Sequence, residues 1–398
     1  MTQYLEINRQ LGKGDLGTVY LCRGLVGSGW SAVKVTSKHE VLRRRKLQRI
    51  YNEYCVLNLQ MLECHPFIVH VDRVMATPNF LLSCMTPYTL GPLHRAVLAK
   101  APGMVLGEDM TRFVVAEIIL ALEFLHQFGI IHRDVKPENI FVRNDGHVVL
   151  ADFDLCHIDE TPNLIQRFAA SGVSSPSSTS SREASERPSG QRKRKHSFVG
   201  TPEYMAPEVI CDEAQTPAVD VWALGVLIYE CITGTTPFKG HSDHDTLHKI
   251  RNGMSVAFPP GTVPSNSMRD LLEKVLVRRV ERRMRLSELK AHPWFEGIDF
   301  RCLPSTTSPL LHMLLQAPAV SEHSHAESMQ QCLTQELDRS RGEDTDYEDP
   351  FCFFDSSSRD ISFHRPSHIV EASLAAGCSS KRAKKAKSRG LLSRLFGF

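Results

Sequence analysis

The sequence has 398 residues, 42% of them hydrophobic, enough for one large or two ordinary domains with a sizeable core. Its 47 Lys and Arg against 45 Asp and Glu give a formal charge of +2, which excludes a polycation built to grip nucleic acid along its length. The 11 cysteines form no CxxC pair, and the opening MTQYLEINRQLGKG has no charged region leading into an apolar one. No apolar run reaches the ~18 residues of a spanning helix, so a reduced, non-secreted protein with at most peripheral membrane contact is expected.

From the N-terminus to about residue 90, short β-branched runs at Thr18 to Cys22, Ser31 to Val35 and Phe80 to Met85 flank a charged segment, Glu40 to Glu63, with helical spacing of apolar residues. A small sheet with one helix is expected. Between Thr111 and Phe128 the apolar positions Phe113, Val114, Ile118, Leu122 and Leu125 recur every three or four residues, and strand-like runs follow at 130 and 147. A larger, helix-rich lobe starts here. Residues 161–196 are Ser-rich and lack apolar periodicity, which reads as a long loop inserted within a domain. Ordered composition returns at Phe198 and lasts to about Phe300; beyond Thr306 the chain is polar and expected to be mostly disordered on its own, apart from an aromatic island at 351–354 and a basic end at 381–398.

Gly12, Gly14, Gly17 and Val19 form GxGxxGxV between two strand-like runs, where missing side chains let backbone N–H groups approach triphosphate oxygens. An ordinary Gly-rich hairpin turn fits those four residues equally well. Next comes Ala32-Val33-Lys34, in which a strand lysine can reach phosphates, and Glu53 lies 19 residues later on the helical segment, where it can clamp that lysine. The strongest signal is His132-Arg133-Asp134-Val135-Lys136-Pro137-Glu138-Asn139, which keeps every polar residue of the HRDxxxxN loop in order and spacing. Phosphoryl transfer needs alignment and charge neutralisation more than covalent help. Asp134 is suited to orient an attacking hydroxyl and accept its proton, Lys136 to meet the transferring phosphate and Asn139 to bind magnesium. Asp152-Phe153-Asp154 begins 13 residues after Asn139, with Asp152 as the second magnesium ligand. Asp154 stands where glycine is usual. A side chain there is expected to restrict Phe153 without touching the metal ligand.

Downstream, Gly200-Thr201-Pro202-Glu203-Tyr204-Met205-Ala206-Pro207-Glu208 closes with Ala-Pro-Glu, followed by Asp220 in VDVWALG and by His292-Pro293-Trp294-Phe295. Together these motifs resemble a eukaryotic protein kinase from about Tyr4 to Phe295. NEYCVL at 52, SFVGTPEYMAPE at 197, VDVWALGVLIYE at 219 and HPWF at 292 resemble the AGC group of Ser/Thr kinases. DFD, the insertion before SFVGT and GTTPFKG at 234–240 resemble its phototropin/PINOID-like subgroup, known from plants with fungal relatives.

The resemblance implies an α+β, two-lobed protein kinase fold, with a small β-rich N-lobe at 1–88, a larger helical C-lobe at 89–295 and a C-terminal extension at 296–398. No further domain is expected ahead of the Gly-rich loop. The implied ATP site comprises Leu11, Gly12, Gly14, Gly17, Val19, Ala32, Lys34 and Glu53, with Cys84 at the gatekeeper position, the nucleotide near Cys84 to Pro87 and Phe141 beneath the adenine. Asp134, Lys136 and Asn139 are the implied catalytic residues, and Asn139 and Asp152 the magnesium ligands. Lys136 and GTPEY follow the Ser/Thr pattern. Glu208 is expected to pair with Arg283, and Asp220 to anchor the catalytic loop from beneath.

Glu138 and Glu230 match positions that face an arginine upstream of the phosphoacceptor, so protein substrates with basic residues are implied; Gly91 stands where related kinases often place another such Glu. Ser197 matches the activation-loop phosphorylation site, where an upstream kinase would add a phosphate able to pair with Arg133. Phe351 and Phe354 resemble the hydrophobic motif that docks on the small lobe, with Asp355 where many relatives carry a phosphorylated residue; a recognition motif for another protein is the alternative. Seven Arg or Lys against two Glu in 161–196, and the basic run Lys381 to Arg394 with its apolar last turn, read as anionic-lipid contacts, nuclear import signals or solvated tails. A cytoplasmic protein with access to nucleus or peripheral membrane is expected, without specific nucleic-acid binding, since no aromatic residues interleave the basic runs. The competing class is a scaffold that keeps the fold and transfers nothing, against which stands the full polar set Lys34, Glu53, Asp134, Asn139 and Asp152.

Overall fold

The computed structural model describes residues 6–24, 29–98, 101, 105–158, 201–253, 255–315 and 351. Strands β1 (Glu6–Lys13), β2 (Gly17–Arg23), β3 (Trp30–Ser37), β4 (Val71–Ala76) and β5 (Phe80–Met85) form an antiparallel sheet in the order β1-β2-β3-β5-β4. Strands alternate their side chains between two faces. Ile7, Tyr20, Cys22, Val33, Val35, Leu82 and Cys84 form a small apolar cluster on one face, and the other lines the main core and the cleft between the lobes.

The segment expected as one helix is two: α1 (Lys38–Arg43) and α2 (Leu47–Glu63). Ser37 Oγ caps α1 by accepting from Glu40 N at 3.3 Å, and Arg45 at φ +54° breaks the path before α2. The break lets α2 turn its apolar face, including Ile50, Tyr54 and Leu57, into the core.

The second lobe comprises α3 (Leu93–Ala96), α4 (Glu108–Gln127), α5 (Pro207–Ile210), α6 (Ala218–Thr233), α7 (Asp243–Asn252), α8 (Asn266–Val275), α9 (Leu286–Lys290) and α10 (Leu310–Leu315). Helix α6 is apolar nearly all round and is buried as such a helix must be. It lies so close to α8 and the residue after it that a Cβ on Gly225 would sit 2.7 Å from Val275 Cγ1 and 2.8 Å from Leu276 Cδ2. Two short antiparallel pairs, β6 (Ile130–Ile131) with β9 (His157–Ile158) and β7 (Ile140–Val142) with β8 (Val148–Leu150), frame the loop between them. The motif His292 to Phe295 closes this lobe: Trp294 is fully buried and donates its indole N–H to Glu108 Oε2 at 3.0 Å.

Packed structure runs past the expected limit near Phe300. Ser308 Oγ donates to Gly146 O at 2.6 Å, and Leu303 and Leu310 are buried, so residues 303–310 complete the lobe beside the β7–β8 turn. Polar composition hid this, because few apolar side chains suffice when the backbone contacts are specific. Residues 161–196, Ser197, Phe354 and 381–398 lie outside the described residues.

Candidate active site

The Gly-rich turn joins β1 to β2 and is pinned by Gly14 N donating to Gly17 O at 2.8 Å. A Cβ on Gly17 would meet Thr36 Oγ1 at 2.7 Å and Val35 O at 2.9 Å, so only glycine allows β2 to approach β3 so closely. A Cβ on Gly12 would meet nothing within 4 Å, and one on Gly14 only Gly17 O at 3.6 Å, an ordinary contact, which leaves space beside backbone donors. Leu11 and Val19 flank the turn, Leu11 37% exposed at its mouth, and Ala32 is buried two pairs further along the sheet from Lys34.

Lys34 Nζ lies 2.6 Å from Glu53 Oε1, so α2 and β3 are clamped as expected. Unforeseen is Asp154, whose buried Oδ1 lies 2.5 Å from the same ammonium, with Asp152 Oδ1 at 4.0 Å. Burial works against the Lys34 charge, but Asp154, then Glu53 and Asp152, outweigh it and keep the ammonium well above its ordinary range. Burial pushes Glu53 up, the adjacent Asp154 adding to the shift and Lys34 opposing it. The only local signal for Asp154 was the departure from glycine.

The gatekeeper expectation needs correction. Val33 pairs with Cys84 and Ala32 with Met85, so Cys84 points into the small cluster on the far face. Met85 shares the cleft face with Ala32 and Lys34. A one-residue slip along a strand exchanges the faces. Phe141 is half-buried on β7, its ring 6.4 Å from that of Tyr88 in the segment linking the lobes.

Below the cleft, Asp220 on α6 accepts from His132 N at 2.9 Å, Arg133 N at 2.7 Å and His126 Nε2 at 2.7 Å. Burial would raise this carboxyl; His126 and the loop around it hold it below its usual range. The two backbone bonds anchor the loop, in which Arg133 lies in the left-handed region at φ +67°, as Asp152 does at φ +61°. On the loop, Asp134 Oδ2 receives Lys136 Nζ at 2.8 Å and Asn139 Nδ2 at 2.7 Å. Lys136 also donates to Thr201 Oγ1 at 3.0 Å, a contact between catalytic loop and activation segment that the sequence did not reveal.

Ala151 N donates to Asn139 O at 2.8 Å, so Asn139 and Asp152 stand together at one end of the β7–β8 pair. Asn139 uses its amide nitrogen on Asp134, which leaves its oxygen, with the Asp152 carboxylate, as hard donors of the kind magnesium takes. Phe153 is buried edge-on against His132, centroids 5.3 Å apart, and Asn52 of α2 donates to Cys156 O at 3.0 Å; both hold the segment inward.

A protein kinase domain model matches residues 5–295. The chain belongs to the protein kinase family. It is 36% identical over 316 residues to "Flippase kinase 1" of Saccharomyces cerevisiae, covering 78% of this chain and 34% of that one. It is 35% identical over 340 residues to "Serine/threonine-protein kinase AGC1-5" of Arabidopsis thaliana, covering 76% and 58%, and 37% identical over 311 residues to "Serine/threonine-protein kinase nrc-2" of Neurospora crassa, covering 76% and 48%. The kinase thus spans from about a third to somewhat over half the length of these relatives.

Three further expectations concern residues of the kinase beyond this set. Glu138 is exposed and Glu230 half-buried, the latter accepting the Tyr204 hydroxyl. Glu208 is bound in a bidentate pair by Arg283, Nη1 to Oε1 at 2.7 Å and Nη2 to Oε2 at 2.9 Å, both side chains buried. Phe351 is buried, with Lys38 Nζ of the small lobe 5.4 Å from its ring centroid. No helix among the described residues is long and apolar enough to cross a membrane.

Proposed function

We propose that this kinase transfers the γ-phosphate of ATP onto a serine or threonine hydroxyl of protein substrates that carry basic residues upstream of the acceptor. One observation carries the reading: a complete polar set is assembled, with Lys34 on Glu53 above the cleft and Asp134, Lys136 and Asn139 on a loop hung from Asp220 below it. The open space at Gly12 and the oxygen donors of Asn139 and Asp152 fit ATP and magnesium. Bound magnesium would neutralise charge on the phosphates. Asp134 would align the substrate hydroxyl and take its proton; Lys136, bridging Asp134 and Thr201, would meet the phosphate.

Phosphate on Ser197 would pair with the Arg133 guanidinium. Burial of Phe351 beside Lys38 supports docking of the aromatic motif, Phe354 included, on the small lobe. The basic segments at 192–195 and 381–398 favour contact with anionic lipid.

Basic substrates are supported by charge. Burial raises the Glu230 carboxyl; Glu138 and Glu203 add to the rise, and the Tyr204 hydroxyl opposes it. Glu138 and Glu203 lie near enough to Glu230 to act on its charge, and an arginine bound by Glu230 and Glu138 would form charge-assisted bonds. Because the Glu230 pKa is raised, its charge is lost at a pH above the ordinary carboxylate range. KM for an arginine-containing peptide is therefore expected to climb as pH falls into that window, while KM for a neutral peptide stays level. Glu230→Gln is expected to raise KM for the basic peptide about 10- to 100-fold, the worth of a charge-assisted bond, and to flatten its pH dependence. An array of basic, neutral and acidic Ser/Thr peptides measures this; equal use of all three would refute the preference.

A further inference from the structure

The Lys34 contact with Asp154 has no counterpart where glycine follows the phenylalanine of this motif, because glycine has no side chain to offer. A lysine ammonium has three N–H donors. Glu53 and Asp154 take two, at 2.6 and 2.5 Å, leaving one. A strand lysine that holds both the α- and β-phosphates of a nucleotide, while staying clamped to its helix glutamate, needs two. Nucleotide and Asp154 therefore draw on the same donor.

Asp154 cannot withdraw by moving the segment that carries it. Phe153 is packed under His132, and Asn52 holds the backbone at Cys156. Only side-chain rotation releases Lys34, and it leaves a buried carboxylate beside Glu53, Asp152 and the incoming phosphates. Acidic groups and phosphates crowded around one ammonium repel one another unless another cation is present.

We propose that Asp154 is a positioning residue: it occupies a Lys34 donor in the nucleotide-free kinase, keeps the Lys34–Glu53 clamp assembled, and makes nucleotide binding compete with this carboxylate and lean on magnesium more heavily. The proposal rests on the ATP reading above and concerns only how Lys34 is shared.

Calorimetric binding of ADP to the full chain, with magnesium and with a chelator in its place, tests it. Asp154→Asn keeps shape and polarity without the charge, and Asp154→Gly restores the residue usual at this point. Both variants are expected to bind ADP more tightly than wild type, about tenfold in chelator and about threefold with magnesium, so that the magnesium dependence of affinity shrinks. A carboxylate that merely braced the fold would lower thermal stability when removed and leave affinity equal or weaker; that result in both variants overturns the proposal. If wild type binds no adenine nucleotide under either condition, the ATP reading itself fails.

Discussion

Asp152→Asn is expected to leave a folded kinase that has lost phosphotransfer, with kcat lower by about a thousandfold or more. The substitution removes charge from the residue proposed to hold magnesium, and such a metal contributes several kcal/mol of transition-state stabilisation, each 1.36 kcal/mol being a factor of ten. The fold should tolerate it: the Asp152 side chain is 42% exposed and approaches Lys34 only to 4.0 Å, whereas Glu53 and Asp154 hold that lysine more tightly. Steady-state kinetics alongside a thermal melt separates the two effects. A variant with an unchanged melt and a tenth or more of wild-type kcat would remove Asp152 from the metal site.

The second large effect lies at Arg283, remote from the chemistry. Its guanidinium holds Glu208 in a bidentate pair, donates to Ala218 O at 2.8 Å and Val277 O at 3.0 Å, and stacks on Trp222 at 5.2 Å. Arg283→Ala leaves a buried Glu208 carboxylate without its ion-pair partner, a change expected to cost about 3–5 kcal/mol. Glu208→Ala is expected to cost about as much by stranding the guanidinium. Removing both should cost less than the sum of the single losses, because neither charge is then left alone. Chemical denaturation of the three variants reads the cycle. A single-variant loss below about 1 kcal/mol, the range of an exposed pair, would contradict the burial argument.

Much of the site was legible because its chemistry demands particular side chains at fixed spacing. The stretch from His132 to Asn139 is one loop, and Asp134, Lys136 and Asn139 meet within it. The Lys34–Glu53 clamp and the Glu208–Arg283 pair followed from family likeness rather than from periodicity. What escaped was set by register and by distance along the chain. The run that forms β1 was read as strand-like but not bounded, since it buries little and is irregularly paired with β2, and β4 was not distinguished. Cys84 and Met85 exchanged roles because strand alternation gives each neighbour the opposite face. Asp154 meets Lys34 across 120 residues, and nothing in its neighbours shows which partner a buried carboxylate will find. Ser308 reaches Gly146 across 162 residues in the same way.

The most direct test of the central claim is transfer of labelled γ-phosphate from ATP to a basic Ser/Thr peptide by the wild-type chain, with Asp134→Asn as the paired control. The account predicts magnesium-dependent label on serine or threonine, with the rate falling about 10²- to 10⁴-fold in the variant, the usual worth of a positioned base. A wild-type protein that binds ATP and magnesium yet transfers no phosphate, even with Ser197 phosphorylated, would contradict it and leave a scaffold with a kinase fold.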